Sequence, residues 1–452
     1  MASNNTEDQP PEQHIGIDVL TSGEEAWKEL YTFFLDAGYR LRSRYEPGWK
    51  PSWLEVSAKS KYPEDAVKPF TPNITHATHL KTGQYVVIKR IESDEDSTEL
   101  DVMAFLTAEE RAGDPRNHCV RALGILDHPS DPQVQFVILP LLRKFDDPPF
   151  ETIGEVVDFV GQVLEGIEFL HDNGVAHLDI SINNVMLDGT GMYPTGFHPV
   201  DQSRNFEYTG PAVRQFTRTE KPPTYIFIDF GISERFDADE RRITWNKEGT
   251  DHSVPEYQEG YEAPVDPFEV DVYCLGNLVK TDIIQGNPKS SRSGYYGFEF
   301  LEPLVDKMTQ QVPKDRPSMK EAMELFHSLV EKVEHSHLRS RCRRRPLFKG
   351  DRELPPVEVY NTVRHAYKKL VYTYKGLPAI PKRSPPKDKE PAVVQHPKSR
   401  LASLFPGRIL GSTSKSEPAA PAEPEGSARG EEEEEDGTGT GTGTGVGTEV
   451  AK

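Results

Sequence analysis

One stretch, His177-Leu178-Asp179-Ile180-Ser181-Ile182-Asn183-Asn184, limits what this chain can fold into more than any other. It follows an amphipathic run ending at Leu170-His171 and a turn at Asn173-Gly174, and it sets the Asp179 carboxylate five residues ahead of the Asn184 amide. Downstream, the apolar run Tyr225-Ile226-Phe227-Ile228 ends in Asp229-Phe230-Gly231. A single Asp or Asn in a turn most often bonds its own backbone. A loop that presents both, followed by a strand that delivers a second carboxylate, is what phosphoryl transfer requires. One Asp faces the attacking hydroxyl, while the amide and the second Asp hold divalent ions against phosphates.

At these residues the chain resembles the eukaryotic protein kinase superfamily, in particular a kinase-like group expanded in mushroom-forming fungi, over roughly Tyr39 to Val333. The resemblance implies an α+β, two-lobed fold with a small β-rich N-lobe and a mainly helical C-lobe. It implies ATP and Mg²⁺ as cofactors and a protein hydroxyl as acceptor, with Ser/Thr favoured over Tyr. Asp179 would be the base, and Asn184 and Asp229 would hold Mg²⁺, a hard ion that prefers oxygen donors. The strand Tyr85-Val86-Val87-Ile88-Lys89 resembles the family's Val-Ala-Ile-Lys strand, which places Lys89 at the α/β-phosphates. Glu99 is its expected partner, because Val102, Met103 and Leu106 follow at the i+3, i+4 and i+7 spacing of a buried helical face. Glu109 and Glu110 have no such sequel, and Thr107–Asn117 reads as an inserted loop. Gln135–Leu142 reads as a strand broken by Pro140 and leading into the hinge, with Leu139 and Leu142 on the nucleotide pocket. Gly249-Thr250 and Val254-Pro255-Glu256 resemble the end of an activation segment. Arg316 matches the arginine that pairs with that glutamate, and Asp271 the residue that bonds the catalytic-loop backbone from the start of a helix.

The departures are as specific as the matches. No Gly-x-Gly-x-x-Gly precedes Lys89, and Gly48 stands alone. Leu178 replaces the arginine that would receive an activating phosphate, so activity is expected not to need phosphorylation of Thr250 or Ser253. Ser181 replaces the lysine usual in serine/threonine kinases. These departures favour a competing reading, a pseudokinase that binds nucleotide or serves as a scaffold; phosphorylation of a small molecule is a third. Residues 189–223 form an insert rich in Pro, Gly and the aromatics Tyr193, Phe197, Phe206 and Tyr208. It reads as a surface lobe packed by its own aromatics and a candidate protein-docking surface. His198 and Asp201 within it are two isolated ligand types, too few to define a metal site.

The rest of the layout follows from patterning. Residues 1–20 read as a disordered lead. Residues 21–142 form the N-lobe, opened by a helix over Glu24–Ala37 with a capping box at Ser22–Glu25, an aromatic packing stripe (Trp27, Tyr31, Phe34) and Gly38 as its C-cap. A hairpin joins Ile74–Leu80 to Gln84–Ile91. Residues 143–335 form the C-lobe, with a second capping box at Thr152–Glu155 and a buried helix after it. Residues 336–380 read as a basic linker (Arg339–Arg345), either solvated or an import signal, with helix potential over Val357–Tyr374; 381–452 read as a disordered tail. Hydrophobic residues make up only 35% of the 452, and Glu431–Asp436 and the Gly-Thr repeat cannot build a core. A net charge of −20 argues against nucleic acid as a partner. Three widely separated cysteines suit a reducing compartment. Residues 1–16 lack a signal peptide's apolar core, and no apolar run is long enough to cross a bilayer. A cytoplasmic or nuclear protein with no membrane partner is therefore expected.

Overall fold

The computed structural model describes residues 18–54, 63–69, 71–92, 98–258, 260–288, 292–346, 348 and 354–383. The expected disorder of residues 1–17 and 384–452 lies outside the described residues.

The N-lobe runs α1 (Ser22–Glu29), α2 (Tyr31–Asp36), β1 (Tyr39–Leu41), β2 (Ile74–His79), β3 (Tyr85–Glu92), α3 (Glu99–Leu106), α4 (Glu109–Ala112), β4 (Gly124–Asp127) and β5 (Val134–Pro140). Its described strands form an antiparallel sheet in the order β1-β2-β3-β5-β4. The two-residue period of a strand sorts β3 cleanly. Val86 and Ile88 join Val134, Phe136 and Ile138 in one core with Trp27 and Phe34, whereas Ile91 belongs to the core shared with α3 and the C-lobe. Lys89 lies on the same side as Ile91, facing the cleft.

The N-terminal helical region departs from expectation in two ways. It is two helices broken at Leu30, and the capping box is Thr21–Glu24, one residue earlier than expected. Glu24 sets that register: it is buried, and its Oε1 accepts from Arg44 Nε at 2.6 Å. Gly38 adopts φ +91°, the left-handed conformation a helix cap requires. The expected loop at Thr107–Asn117 contains α4, held by Arg111, whose guanidinium stacks 3.8 Å above the Phe105 ring.

The C-lobe adds β6 (Arg143–Lys144), α5 (Ile153–Asp172), β7 (Val175–Ala176), β8 (Val185–Leu187), β9 (Tyr225–Phe227), β10 (Glu234–Arg235), α6 (Pro267–Leu278), β11 (Gly286–Asn287), β12 (Arg292–Ser293) and β13 (Tyr295–Tyr296). After these come α7 (Glu302–Met308), α8 (Met319–Glu331), α9 (His335–Leu338), β14 (Arg343–Arg344) and α10 (Pro355–Tyr374). α5 is the central buried helix. Thr152 caps it, but Glu155 does not close the expected box: its carboxylate accepts from Glu151 N at 2.7 Å and from the Thr219 hydroxyl at 2.7 Å. α6 begins at Pro267 with Asp266 as its cap, so Asp271 lies inside the helix rather than at its start.

The described residues of 336–380 do not form a solvated linker. Arg339 is buried, Cys342 N donates to Glu151 O at 3.0 Å, and β14 pairs with β13. Contact with the C-lobe continues to Arg383, whose Nη2 lies 2.8 Å from Glu165 Oε2, so the first three residues of the expected tail are docked.

Candidate active site

The loop after β7 bends sharply. Leu178 takes φ +64° and is 1% exposed, and Asp271 holds it there. The Asp271 oxygens accept from His177 N and Leu178 N, each at 2.8 Å. A left-handed conformation costs a non-glycine residue about 1–2 kcal/mol, and two charge-assisted hydrogen bonds offset that. The apolar Leu178 side chain thus fills core where the family resemblance calls for an arginine. Gly249 passes so close that a Cβ there would sit 2.3 Å from Leu178 O. That approach brings Thr250 onto Asp179: its backbone N–H and its hydroxyl donate to Asp179 Oδ1 at 2.8 and 2.7 Å. The other oxygen, Oδ2, accepts from Asn184 Nδ2 at 2.7 Å. Because Asn184 Nδ2 also donates to Asp179 O at 2.8 Å, its Oδ1 is turned away and available to a cation.

Lys89 joins the second half of the site. Its Nζ donates to Glu99 Oε1 at 2.7 Å and to Asp229 Oδ1 at 2.8 Å. Burial opposes the ammonium, but the two carboxylates raise the Lys89 pKa above its ordinary value. Asp229 adopts φ +66° just after β9. These residues border a cleft of about 340 Å³ walled by Val87, Met103, Val120, Leu139, Leu142 and Ile228. A larger concavity of about 1440 Å³ lies between the C-lobe and α10, and none of these groups borders it. Pairing through the activation segment is also in place: Arg316 Nη1 and Nη2 meet Glu256 Oε1 and Oε2 at 2.7 and 2.6 Å.

The roof of the cleft was not legible in the sequence. Where a glycine loop would connect β1 to β2, the chain makes a 32-residue excursion, from 42 to 73, that contributes Arg42 and Pro69 to the cleft. The insert supplies Pro199, Val200 and Gln202. It is therefore not a self-packed surface lobe. Gln202 Nε2 donates to the hinge carbonyl of Leu142 at 3.2 Å, and its Oε1 accepts from Lys144 N at 3.1 Å. Phe206 stacks on Tyr85 of β3 with ring centroids 3.4 Å apart, and Tyr85 donates to Glu207 at 2.5 Å. The insert leaves the C-lobe between β8 and β9 and clamps the N-lobe sheet. Periodicity carries no signal for such a long-range contact; the aromatics were visible, but not what they would touch.

Under this clamp Glu64, His76 and His198 converge, each histidine Nε2 lying 3.5 Å from Glu64 Oε1. The set resembles a metal site, but His198 Nδ1 accepts the backbone N–H groups of Val200 and Asp201 at 3.2 and 3.1 Å. Its proton therefore sits on Nε2, which has no lone pair left for a metal. Arg42 Nε already occupies Glu64 Oε1 at 2.6 Å. The cluster is a polar bolt between the N-lobe and the insert. Burial pushes His76 down to about 4. Burial also works against the Glu64 carboxylate, but hydrogen bonds from His198 and His76 and the Arg42 charge hold it below the usual carboxylate range. Below pH 6.5 the unfolded chain takes up a proton at residue 76 that the folded chain does not. Stability therefore falls with acidification from pH 6.5 to about 4, by up to ~3 kcal/mol. Thermal melts of wild type and His76→Gln across that range should converge as pH falls; parallel curves would contradict it.

Ser253 bonds Asp251 Oδ1 at 2.6 Å and accepts from Asn277 at 3.0 Å, and neither partner is a cation that could receive a phosphate. Ser253→Ala should keep turnover within about threefold, the scale of a surface substitution. Loss of turnover in a folded variant would show that this segment needs modification after all. Thr250 is unsuitable for the same test, because it holds Asp179.

A family model described as the protein kinase domain matches residues 72–338, more than half of the chain. The chain belongs to the protein kinase family. A light-sensor protein kinase from Ceratodon purpureus is 26% identical over 157 residues. That match takes in 31% of this chain and 10% of the relative's length. No helix among the described residues is long and apolar enough to cross a membrane.

Proposed function

We propose that the chain is an ATP- and Mg²⁺-dependent protein kinase whose catalytic set is Lys89, Glu99, Asp179, Asn184 and Asp229, acting most readily on serine or threonine. The observation that carries this reading is a pair of couplings, Glu99–Lys89–Asp229 lining the cleft and Asp179–Asn184 beside it, joined where Ile228 N, next to Asp229, donates to Asn184 O at 3.0 Å. Lys89, held by Glu99, orients the α/β-phosphates. Leu139 and Leu142 pack against the base. Asn184 Oδ1 and the Asp229 carboxylate supply hard oxygen donors that fit Mg²⁺. Ions held by Asn184 and Asp229 would neutralise charge on the transferring phosphoryl group. Asp179 orients the acceptor hydroxyl and accepts its proton.

Two observations favour a nucleotide-binding pseudokinase as the second reading. Arg42 and Pro69, rather than a glycine loop, line the cleft, and Gln202 occupies the Leu142 carbonyl at the hinge. Transfer of labelled γ-phosphate to a panel of generic protein substrates, followed by phosphoamino-acid analysis, separates the readings. Phosphoserine or phosphothreonine supports the kinase. Mg-ATP binding without transfer to any acceptor supports the pseudokinase.

A further inference from the structure

α10 is an amphipathic helix turned inside out. The residues it turns toward the C-lobe are polar or partly so: Glu358, Asn361, His365, Lys368 and Tyr372. Lys368 Nζ meets both Glu151 oxygens at 2.6 Å, the Tyr372 hydroxyl bonds Thr217 at 2.9 Å, and His365 bonds Arg339 O at 3.0 Å. The opposite face is apolar and open. Tyr360, Val363, Tyr367, Leu370 and Tyr374 are 65, 64, 68, 71 and 93% exposed. Their spacings are three, four, three and four residues, the a/d repeat of a helix that packs along another helix. Surface helices of monomers carry the reverse arrangement, apolar inward and polar outward.

We infer that α10 is a dimerisation helix and that its outward stripe packs against the α10 of a second copy of this chain. Three features select a second copy over other occupants. The stripe spans two heptads of one helix and is its own complement, as a twofold interface requires. Its exposed surface is on the order of 800 Å², more than a monomer usually leaves open and about one partner's share of a standard interface. Of the flanking positions Val359, Arg364, Ala366, Val371 and Thr373 only Arg364 is charged, and its guanidinium lies 3.6 Å from Glu151 Oε1 of its own chain, so the seam holds few like-charge contacts despite a net charge of −20 per chain. The polar face is already committed to Glu151 and Thr217, so pairing leaves the attachment of α10 to the C-lobe intact.

Sedimentation velocity and light scattering of the full chain, across a wide concentration range, test this. Wild type should move from one to two chain masses as concentration rises. Tyr367→Glu combined with Leu370→Glu keeps good helix formers on an exposed face and should weaken self-association roughly a hundredfold or more, with unchanged circular dichroism and, at dilutions where both proteins are single chains, unchanged melting. Tyr367→Cys, at the middle of the stripe, should give a disulfide-linked dimer on mild oxidation under conditions that leave wild type uncrosslinked. A wild type of single-chain mass at every concentration would overturn the proposal. So would a dimer that survives the double substitution, or a stable complex with an unrelated protein that excludes self-association.

Discussion

On the proposed function, Asp179→Asn should lower turnover by about 10²–10⁴-fold, the usual contribution of a positioned base, while Mg-ATP affinity should stay within a few-fold of wild type. The asymmetry follows from what touches what. Asp179 meets Asn184 and Thr250 rather than Lys89, so its loss does not unpair the ammonium at the phosphates. The amide that replaces the carboxylate must still accept from Thr250 and face a donating Asn184, and it can no longer take a proton at neutral pH. Steady-state rates with a generic protein substrate, alongside nucleotide titration, measure both quantities. Equal turnover in the two proteins would remove Asp179 from the reaction.

Arg316→Met destabilises the protein by about 3–5 kcal/mol, the cost of leaving a buried carboxylate without its partner. Glu256 is 1% exposed and Arg316 7%, and both guanidinium branches reach it at 2.7 Å or less. Arg316 also donates to Gln310 O at 2.9 Å and to Glu269 O at 2.8 Å, tying the end of the activation segment to α6 and the turn before α8. Urea unfolding reads the loss directly. The double variant Glu256→Gln with Arg316→Met should lose less than the two single changes added together, because each single change strands the other's partner. Fully additive losses would show that the pair is not coupled.

The sequence carried the local part of this site and little of its surroundings. Glu99 was legible because Val102, Met103 and Leu106 follow it on one helical face, and all three are buried. Asp229 was legible because it ends an apolar run. Gly249 was visible only as part of a motif; its missing side chain lets Thr250 reach Asp179, a contact 71 residues apart that no local pattern encodes. The cleft roof could not be read at all. Arg42 precedes Lys89 by 47 residues and Gln202 follows it by 113, in irregular chain without a period. The capping box slipped by one residue because Ser22–Glu25 and Thr21–Glu24 both fit the pattern, and only the buried Arg44 distinguishes them. For α10, periodicity revealed a helix but not its orientation. The polar face turns inward because Glu151 offers it a charge partner.

Calorimetric titration of ATP into the full chain, with and without Mg²⁺, tests most directly the claim that Lys89, Asn184 and Asp229 form one nucleotide–metal site. Binding should strengthen at least tenfold with Mg²⁺, and Asp229→Asn should abolish that gain while the protein remains folded. A chain that binds no nucleotide under either condition, or binds it equally well with and without the ion, would contradict the account.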